Sequence, residues 1–503
     1  MKYMISKVYS AIPYGYDGRI VEVEGDINRG LPAFNIVGMA NKTINEAKER
    51  VKSALTNSSF TFPDKKVTIN LAPADLAKDG SFLDLPIALS ILILSNQLLE
   101  SDVENRLFVG ELSLDGKIRP IRGIINILEA AKTAGISEVY LPSKNFEQAS
   151  LISNIKIIGV KDLKSLFLHL KKEKEIKNPE IVVKKKETGV SGPILDHIRG
   201  QSFAKRALAI AIAGHHNILI SGPPGAGKTL LARAAANLLP DLSPEEKIAI
   251  TKIYSIATSS SDVITFRPFR SPHHTASSVS IIGGGSHAEP GEISLAHLGV
   301  LFLDEIPEFP RSVLEALRQP LEDKTISISR ANLKATYPAD FMLIATMNPC
   351  PCGYLGDTTH ECTCTRNQIL AYSKKLSGPL FDRIDMNIAV QKVDNSDLLK
   401  PLENSSKEHN NVKNTIKEAI NRQYSRYGKK DVYNSSLSSH QVSTLLKLSK
   451  SAEQFLYNAS KKLDLSARSY FKVIKVAQTI ADLDGAPEIS EAHLSEALTF
   501  RKR

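Results

Sequence analysis

The residues that most clearly indicate chemistry in this 503-residue chain form a glycine-rich turn: Gly222, Pro223, Pro224, Gly225, Ala226, Gly227, Lys228 and Thr229. They fit the pattern G-x-x-x-x-G-K-[ST], between a short apolar segment and a helical one. Glycines let backbone N–H groups surround phosphates, and the start of the helix adds the positive end of its dipole. Lys228 is therefore predicted to reach the β- and γ-phosphates of ATP, and Thr229 to bind its Mg²⁺.

Two further apolar segments end in polar side chains that would complete such a site. Residues 299–303 are followed by Asp304 and Glu305, and residues 341–345 lead to Asn348. Asp304 is predicted to complete the Mg²⁺ shell, and Glu305 to polarise the attacking water. An acidic pair at a strand end is common by chance. A phosphate-binding turn about 75 residues upstream makes this pair the second half of the same site.

All four cysteines lie within one segment, residues 350–364: Cys350, Cys352, Cys362 and Cys364. Four thiolates could hold a tetrahedral structural Zn²⁺, with His360 as a possible substitute ligand. The C-x-C spacing is tighter than that of a zinc ribbon, and four free thiols are the alternative. Zinc is favoured because random placement would scarcely gather every cysteine here. Since the segment directly follows Asn348, metal loss could disturb the nucleotide site.

The elements that must position these residues belong to a chain long enough for roughly three domains. Residues 1–171 mix strands and helices. Residues 172–193 form a basic, Pro/Gly-ended linker, residues 194–394 alternate strands and helices, and residues 395–503 look wholly helical. The expected fold class is α/β: a parallel sheet with flanking helices, an α+β N-terminal domain and an all-α C-terminal domain.

Composition and charge limit the classes of partner that this protein could bind. The net charge of +10 permits an anionic partner such as nucleic acid without requiring one, because part of the excess lies in the predicted linker. The longest apolar stretch, residues 83–94, contains Asp84 and Pro86 and cannot span a bilayer. The N-terminus has no apolar core long enough for a signal peptide. A soluble, cytoplasmic protein with no membrane partner is expected.

Several stretches resemble the magnesium-chelatase-like AAA+ ATPases of the ComM/YifB type. They are FRPFRSPHHTASSVSIIGGG, EPGEISLAHLGVLFLDEIPEF, NPCPCGY and SARSYFKVIKVAQTIADLDG, and the match covers nearly the whole chain. The resemblance implies an AAA+ core with a helical lid, working as a homo-oligomer, a hexameric ring. It further implies an ATP-driven DNA motor that acts on branched or single-stranded DNA. Its role would be branch migration during recombination of incoming DNA in natural transformation.

The same resemblance implies roles for three polar residues. Asn348 resembles the sensor-1 residue, which hydrogen-bonds the γ-phosphate or the water; an ordinary turn asparagine is the alternative. Arg383, in GPLFDRID, resembles the arginine finger that a neighbouring subunit supplies, although a local salt bridge to Asp382 or Asp385 is possible. Arg468 resembles the sensor-2 arginine that reaches the nucleotide from the lid.

Two insertions fit a DNA motor of this kind. Residues 325–337 alternate like a pore hairpin, with Asn332 and Lys334 at or near its tip. Residues 267–285, which contain Arg267 and Arg270, stand where the insert in the second helix is expected. Basic tips on both loops could bind DNA phosphates, and a solvated loop is the alternative for each.

The N-terminal domain resembles the proteolytic domain of Lon. Lys78-Asp79-Gly80 matches the lead-in to the Lon nucleophile, but Phe82 takes the place of the serine and Ile125 that of the lysine. Ser81 lies one residue away and would point in the opposite direction on an extended segment. Because a Ser–Lys dyad needs both groups, no peptidase activity is expected. The domain would then be a scaffold or a DNA-facing platform.

Two other functions remain open. Such a motor could be the ATPase subunit of a metal-chelatase complex, although those subunits generally lack the Lon-like domain and need an integrin-like partner. It could also be an unfoldase or a protease regulator that recruits a separate peptidase. Binding of branched DNA, of chelatase partners or of peptidases would separate the three.

Overall fold

The computed structural model describes residues 5–38, 42–76, 78, 81–180, 193–258, 261–285, 288–330, 333–357, 360–393, 407–429 and 432–501. They form a mixed seven-stranded sheet, a parallel five-stranded sheet and a C-terminal group of helices. The α/β class with an α+β N-terminal part and a helical C-terminal part is confirmed. None of the helices in these ranges is long and apolar enough to cross a membrane.

The N-terminal part is built on the seven-stranded sheet. In chain order its strands are β1 (Ile5–Tyr14), β2 (Asp17–Asn28), β3 (Ala33–Val37), β4 (Lys66–Ala72), β5 (Arg106–Phe108), β8 (Glu138–Pro142) and β9 (Lys156–Val160), with a separate ribbon of β6 (Glu111–Leu112) and β7 (Ile118–Arg119). Its helices are α1 (Lys42–Asn57), α2 (Asp84–Leu94), α3 (Ile124–Thr133), α4 (Phe146–Ala149) and α5 (Leu163–Leu170). The sheet order is β3-β4-β2-β1-β5-β8-β9.

Helices cover both faces of this sheet. Successive side chains of each strand alternate between the two faces. On one face, Val8 packs in a cluster with α2, and on the other face Ala11 packs in a cluster with α3. Every residue of α2 is buried, which explains the apolar stretch seen in the sequence. Its one charge, Asp84, is paired with Arg50 at 2.9 Å. The helix is therefore an internal element.

The positions aligned with the Lon dyad lie in this core. Ile125 is fully buried, and Phe82 packs against the cluster that contains it. The Ser81 hydroxyl donates a hydrogen bond to Glu111. Both aligned positions therefore hold hydrocarbon side chains, and the absence of peptidase activity stays a prediction.

The segment after α5 is partly attached to this domain. The Asn178 side chain accepts a hydrogen bond from the Gly159 N–H at 3.0 Å and donates one to the Ile157 carbonyl at 2.8 Å. Residues 181–192 of the predicted 172–193 linker lie outside the described ranges. The boundary predicted at 394/395 lies outside them as well.

The central part contains a parallel sheet in the order β11-β14-β17-β10-β18. Its strands are β10 (Ile218–Ser221), β11 (Phe269–Arg270), β14 (Val300–Leu303), β17 (Met342–Met347) and β18 (Met386–Ala389); two ribbons are β12 (Gly283–Gly284) with β13 (Glu289–Pro290), and β15 (Thr325–Arg330) with β16 (Leu333–Pro338). The helices are α6 (Ser202–Gly214), α7 (Lys228–Leu238), α8 (Pro244–Ala257), α9 (Ser278–Ile282), α10 (Glu292–Leu295), α11 (Arg311–Ala316), α12 (Arg318–Asp323), α13 (Arg366–Ser373) and α14 (Gly378–Phe381).

This parallel sheet is also buried on both faces, which is why its strands read as continuous apolar runs. Ile218 and Ile220 of β10 pack in the cluster that includes α6 and α7, whereas Leu219 packs in the cluster on the other face. Because all five strands run the same way, their carboxyl ends meet at one edge of the sheet. Loops that follow these strands are therefore gathered at that edge.

The C-terminal part consists of helices α15 (Lys407–Tyr427), α16 (Ser439–Leu445), α17 (Lys450–Lys462), α18 (Ala467–Asp484) and α19 (Glu491–Thr499). The last four each begin after a serine whose side chain accepts a hydrogen bond from a backbone N–H of the first turn. α15 and α18 share one apolar cluster with α6 and α7. The His216 ring is also hydrogen-bonded to Thr479 at 2.8 Å, so the helical part is fastened to the central one.

The N-terminal part contacts the central part through α8 and the β15–β16 hairpin. The Gly123 N–H donates to the Ser255 carbonyl at 2.8 Å, and the Lys252 ammonium is paired with Glu129 at 2.5 Å. Tyr16, in the β1–β2 turn, lies edge to face with Tyr337 of β16 at 6.1 Å between ring centroids. The Lys252 ammonium lies 4.0 Å from the centre of the Tyr16 ring. The hairpin thus rests against the N-terminal sheet.

Candidate nucleotide site and metal-binding loop

The glycine-rich turn joins the buried strand β10 to α7, as its sequence predicts. Gly225 and Gly227 have φ angles of +77° and +82°, in the left-handed region where a side chain is strained. A side chain there would find nothing within 4 Å, so the backbone conformation, and not crowding, requires glycine. The turn lies at the carboxyl edge of the parallel sheet.

Lys228 is the first residue of α7, and its ammonium lies inside the turn. It donates to the carbonyls of Gly222 at 2.5 Å and Pro223 at 3.1 Å, and to Asn348 Oδ1 at 2.9 Å. Burial lowers the pKa of Lys228, while the nearby Asp304 and Glu305 act to raise it. Phosphate oxygens are acceptors of the kind that this ammonium already contacts.

Thr229 and Asp304 lie side by side, as expected for two ligands of one cation. The Thr229 hydroxyl donates to Asp304 Oδ2 at 3.1 Å. Asp304 Oδ1 accepts from the Thr346 hydroxyl at 2.5 Å, and the same hydroxyl accepts from the Glu305 N–H at 2.9 Å. A hydroxyl and a carboxylate oxygen are ligands that suit Mg²⁺. The donor set therefore fits this ion.

Thr346 is a site residue to which sequence reasoning gave no role. It is fully buried in β17 and orients both acidic residues. Its signal was a single hydroxyl in an otherwise apolar strand, MLIATM.

Asn348 connects the two halves of the site. Its Oδ1 accepts from Lys228, and its Nδ2 donates to Glu305 Oε1 at 3.3 Å. Glu305 has a φ of +53°, an uncommon conformation for a non-glycine residue. The structure therefore brings together the five polar residues predicted at the ends of three strands: Lys228, Thr229, Asp304, Glu305 and Asn348.

Arg383 and Arg468 lie at the other edge of the sheet. Asn217, which immediately precedes β10, donates its side-chain amide to the Arg383 carbonyl at 3.1 Å. The glycine-rich turn follows the other end of β10, and the four residues of this strand span about 13 Å. The Arg383 backbone therefore lies about one strand length from the turn. The Arg383 guanidinium is paired with Glu322 at 2.5 Å, rather than with Asp382 or Asp385. Arg468 is paired with the same Glu322 at 3.0 Å.

The expectation that Arg267 and Arg270 are basic loop tips is wrong. The Arg267 side chain is only 10% exposed, and its Nη2 lies 2.9 Å from each carboxylate oxygen of Glu246. Arg270 lies on β11 in the sheet, with two 2.6 Å hydrogen bonds to Glu292. Both guanidiniums are occupied inside the fold. Their partners are 21 and 22 residues away in sequence, so local reading missed them.

The predicted hairpin is present as β15 and β16, in antiparallel register from Thr325↔Pro338 to Arg330↔Leu333. Lys334 lies on β16 close to the turn, and its side chain is exposed. Asn332 falls outside the described residues.

The four cysteines lie together in the segment after β17. Their sulfur atoms are all within 4.8 Å of one another, with Cys350–Cys352 at 3.3 Å, Cys352–Cys362 at 3.6 Å and Cys350–Cys362 at 3.7 Å. Tetrahedral zinc with Zn–S bonds of about 2.3 Å separates its sulfurs by roughly 3.8 Å. The donor set and its spacing therefore fit Zn²⁺. His360 instead stacks on Tyr354, with ring centroids 4.8 Å apart.

This cysteine loop packs directly on the glycine-rich turn. Gly353 has a φ of +86°, and a Cβ built on it would lie 2.8 Å from Pro224 Cδ and 2.9 Å from Pro224 Cγ. Such distances leave no room for a side chain. The backbone of the cysteine loop is thus in contact with the turn that is predicted to bind phosphates.

A parallel sheet with a glycine-rich turn after one strand, an amide residue after the adjacent strand and acidic residues after the strand beyond it is typical of the AAA+ class of P-loop proteins. Three family models match the chain in agreement with this class. The model described as magnesium chelatase, subunit ChlI, matches residues 194–398. Subunit ChlI of Mg-chelatase matches residues 23–145, and its C-terminal model matches residues 406–501.

Full-length relatives narrow the assignment. The chain is 41% identical to "Competence protein ComM" of Haemophilus influenzae, over 98% of this chain and 97% of that protein. It is 39% identical to YifB of Escherichia coli over 99% and 97%. It is 25% identical to the magnesium-chelatase 67 kDa subunit of Chlorobaculum tepidum, over 30% of this chain and 23% of that protein. The chain belongs to the ComM/YifB-type family of magnesium-chelatase-like AAA+ proteins, which confirms the resemblance.

Proposed function

We propose that this protein is an ATP-hydrolysing DNA motor, a branch-migration helicase or translocase that acts in recombination of incoming DNA. The observation that carries the ATPase proposal is the convergence of Lys228, Thr229, Asp304, Glu305 and Asn348 at one edge of the parallel sheet. Membership of this AAA+-like family implies that the ligands are ATP and Mg²⁺.

In this proposal each side chain has a distinct task. Lys228 and the backbone of the glycine-rich turn bind the triphosphate, while Thr229 and Asp304 hold Mg²⁺, which neutralises charge on the phosphates. Glu305 orients the attacking water, and its carboxylate is in turn held by Asn348. Asn348 also contacts Lys228, so it lies where it can sense the γ-phosphate.

Arg383 and Arg468 act on the nucleotide of a neighbouring subunit in the proposed mechanism. Both lie at the amino edge of the sheet, a strand length from the turn of their own chain. A cation supplied across the interface stabilises charge on the γ-phosphate. The proposed assembly is a hexameric ring, since AAA+ proteins commonly oligomerise.

DNA as the partner rests on two observations. First, the chain is 41% identical to a protein called a competence protein, along nearly the full length of both chains. The β15–β16 hairpin carries the exposed Lys334, and its second strand leads into β17, which ends at the nucleotide site. Movement at Asn348 can therefore reach the hairpin through a short, continuous segment.

The cysteine loop is proposed to hold a structural Zn²⁺. Its four thiolates would form a closed site, which is typical of structural rather than catalytic zinc. The metal would fix the loop that packs against Pro224.

The decisive experiment is ATP hydrolysis by the purified protein, with Glu305→Gln as the inactive control. Rates are compared without DNA and with single-stranded, duplex and four-way-junction DNA. Stimulation that is greatest with branched DNA supports the proposal and justifies a strand-displacement assay. Hydrolysis that is indifferent to every DNA refutes the DNA motor.

The second candidate is the ATPase subunit of a metal-chelatase complex, which the names of the three family models favour. DNA-independent hydrolysis would direct attention to it, and to an unfoldase or protease regulator. Stimulation by chelatase partners or by a peptidase would then distinguish these two.

A further inference from the structure

Glu322 joins two arginines that come from different parts of the fold. It lies near the end of α12, with Oε2 2.5 Å from Arg383 Nη2 and Oε1 3.0 Å from Arg468 Nη2. Arg383 follows α14 in the central part, whereas Arg468 belongs to the first turn of α18 in the C-terminal part. A single carboxylate thus links the two parts through the two residues proposed to act across a subunit interface.

These three residues line an open cleft of about 520 Å³ between the two parts. Lys472 and Lys475 line it as well, and burial lowers the pKa of both ammonium groups. The hydrogen bond from Arg383 lowers the pKa of Glu322. Glu322 is therefore kept ionised in a cleft that contains both basic side chains and the carboxyl groups of Asp340, Asp382 and Asp385.

The geometry of the pair suits an exchange of anions. A guanidinium binds carboxylate and phosphate oxygens through the same N–H groups, and a phosphate carries more negative charge than a carboxylate. The side chains of Glu322 and Arg468 are 45% and 46% exposed, so an incoming anion can reach them. Arg383 is held more firmly, at 12% exposure, with a further hydrogen bond to the Pro379 carbonyl at 2.6 Å.

We propose that Glu322 is a positioning residue that holds Arg383 and Arg468 together in the free subunit and releases them to the γ-phosphate of a neighbouring subunit's ATP. This inference rests on the proposed function. ADP has no γ-phosphate and leaves the arginines on Glu322. Glu322 therefore competes with the γ-phosphate for the two arginines, so its charge opposes ring assembly in ATP and has little effect on assembly in ADP.

The test is Glu322→Gln, which removes the charge and keeps the shape. Assembly is measured by mass photometry as the protein concentration at half-assembly, in ATP and in ADP, with Glu305→Gln present to prevent hydrolysis. The ATP value is expected to fall and the ratio of the ADP to the ATP value therefore to rise about three-fold or more, the scale of exposed ion pairs. Glu315→Gln is the matched control, because Glu315 pairs only locally in sequence, with Arg318 at 2.7 Å.

Two further arms separate positioning from a general effect on structure. Glu322→Asp should restore part of the ratio, since the charge returns on a shorter side chain. With both Arg383 and Arg468 changed to Ala, Glu322→Gln should alter the ratio by less than about two-fold.

The inference is overturned if Glu322→Gln matches the Glu315→Gln control, or if its effect persists without the two arginines. Failure of the proposed function looks different. In that case, Arg383→Ala alone would leave ATP turnover intact.

Discussion

Two glycines of the cysteine loop allow a direct test of its contact with the nucleotide site. Gly353 and Gly356 have similar left-handed φ angles, +86° and +79°. Alanine at either position should cost about 1–2 kcal/mol of folding free energy for the backbone conformation. A methyl group at Gly356 would meet nothing within 4 Å, whereas one at Gly353 would meet the Pro224 ring at 2.8 and 2.9 Å. The pair therefore separates backbone strain from contact.

The size of the clash sets the expected effect. Carbon atoms prefer separations of about 3.5–4.0 Å, so Gly353→Ala must displace the loop or the turn by roughly 0.7 Å. The Pro224 ring cannot rotate away, because it is closed onto its own backbone. A displaced turn loses hydrogen bonds to the charged phosphates, each worth about 1.5–3 kcal/mol. We expect ATP affinity to fall about ten-fold or more in Gly353→Ala and less than about two-fold in Gly356→Ala.

The assay is a titration with a fluorescent ATP analogue, together with urea unfolding of both variants. Zinc content per chain, measured by mass spectrometry, should be the same in both. Equal ATP affinity in the two variants, at equal stability, would show that the cysteine loop does not position the turn.

The remaining predictions concern turnover and metal. Lys228→Ala should weaken ATP binding by roughly ten- to a hundred-fold through loss of a charged hydrogen-bond donor, while Glu305→Gln should bind ATP normally in the same titration and hydrolyse it about 10²-fold or more slowly. Arg383→Ala should keep ATP affinity and lose about 10³-fold or more in turnover, and adding a Lys228→Ala subunit that still presents Arg383 should restore part of it; a fully active Arg383→Ala protein would contradict the trans role. Chelation under denaturing conditions should release one zinc per chain, detected with a colorimetric dye, and release of none would exclude the structural zinc.

Sequence reasoning reached furthest where function depends on local pattern. Lys228, Asp304 and Asn348 each follow a strand. The carboxyl ends of parallel strands lie at one edge of the sheet, irrespective of how the other elements pack. The cysteines could be found for a related reason, since four donors within one short loop need only that loop to close.

Residues whose roles depend on tertiary pairing could not be predicted in this way. Arg267 looked like a phosphate-binding residue because its partner Glu246 is distant in sequence. Glu322 carried no local signal, since its two arginines lie 61 and 146 residues further along the chain. The contact between Gly353 and Pro224 depends on how two loops meet, which neither loop specifies alone.

The contact between the β15–β16 hairpin and the N-terminal part has a mechanical consequence. Tyr16 supports it at Tyr337, near its base, and Gly15 lies against Ala335, the fourth of its six residue pairs. Of the residue pairs that the structure describes, two extend beyond that support, over a length of about 7 Å. A short unsupported segment of a hairpin bends less under a given force than a long one. The N-terminal sheet therefore stiffens the hairpin, and a chain shortened by residues 1–171 would carry a longer and more compliant arm.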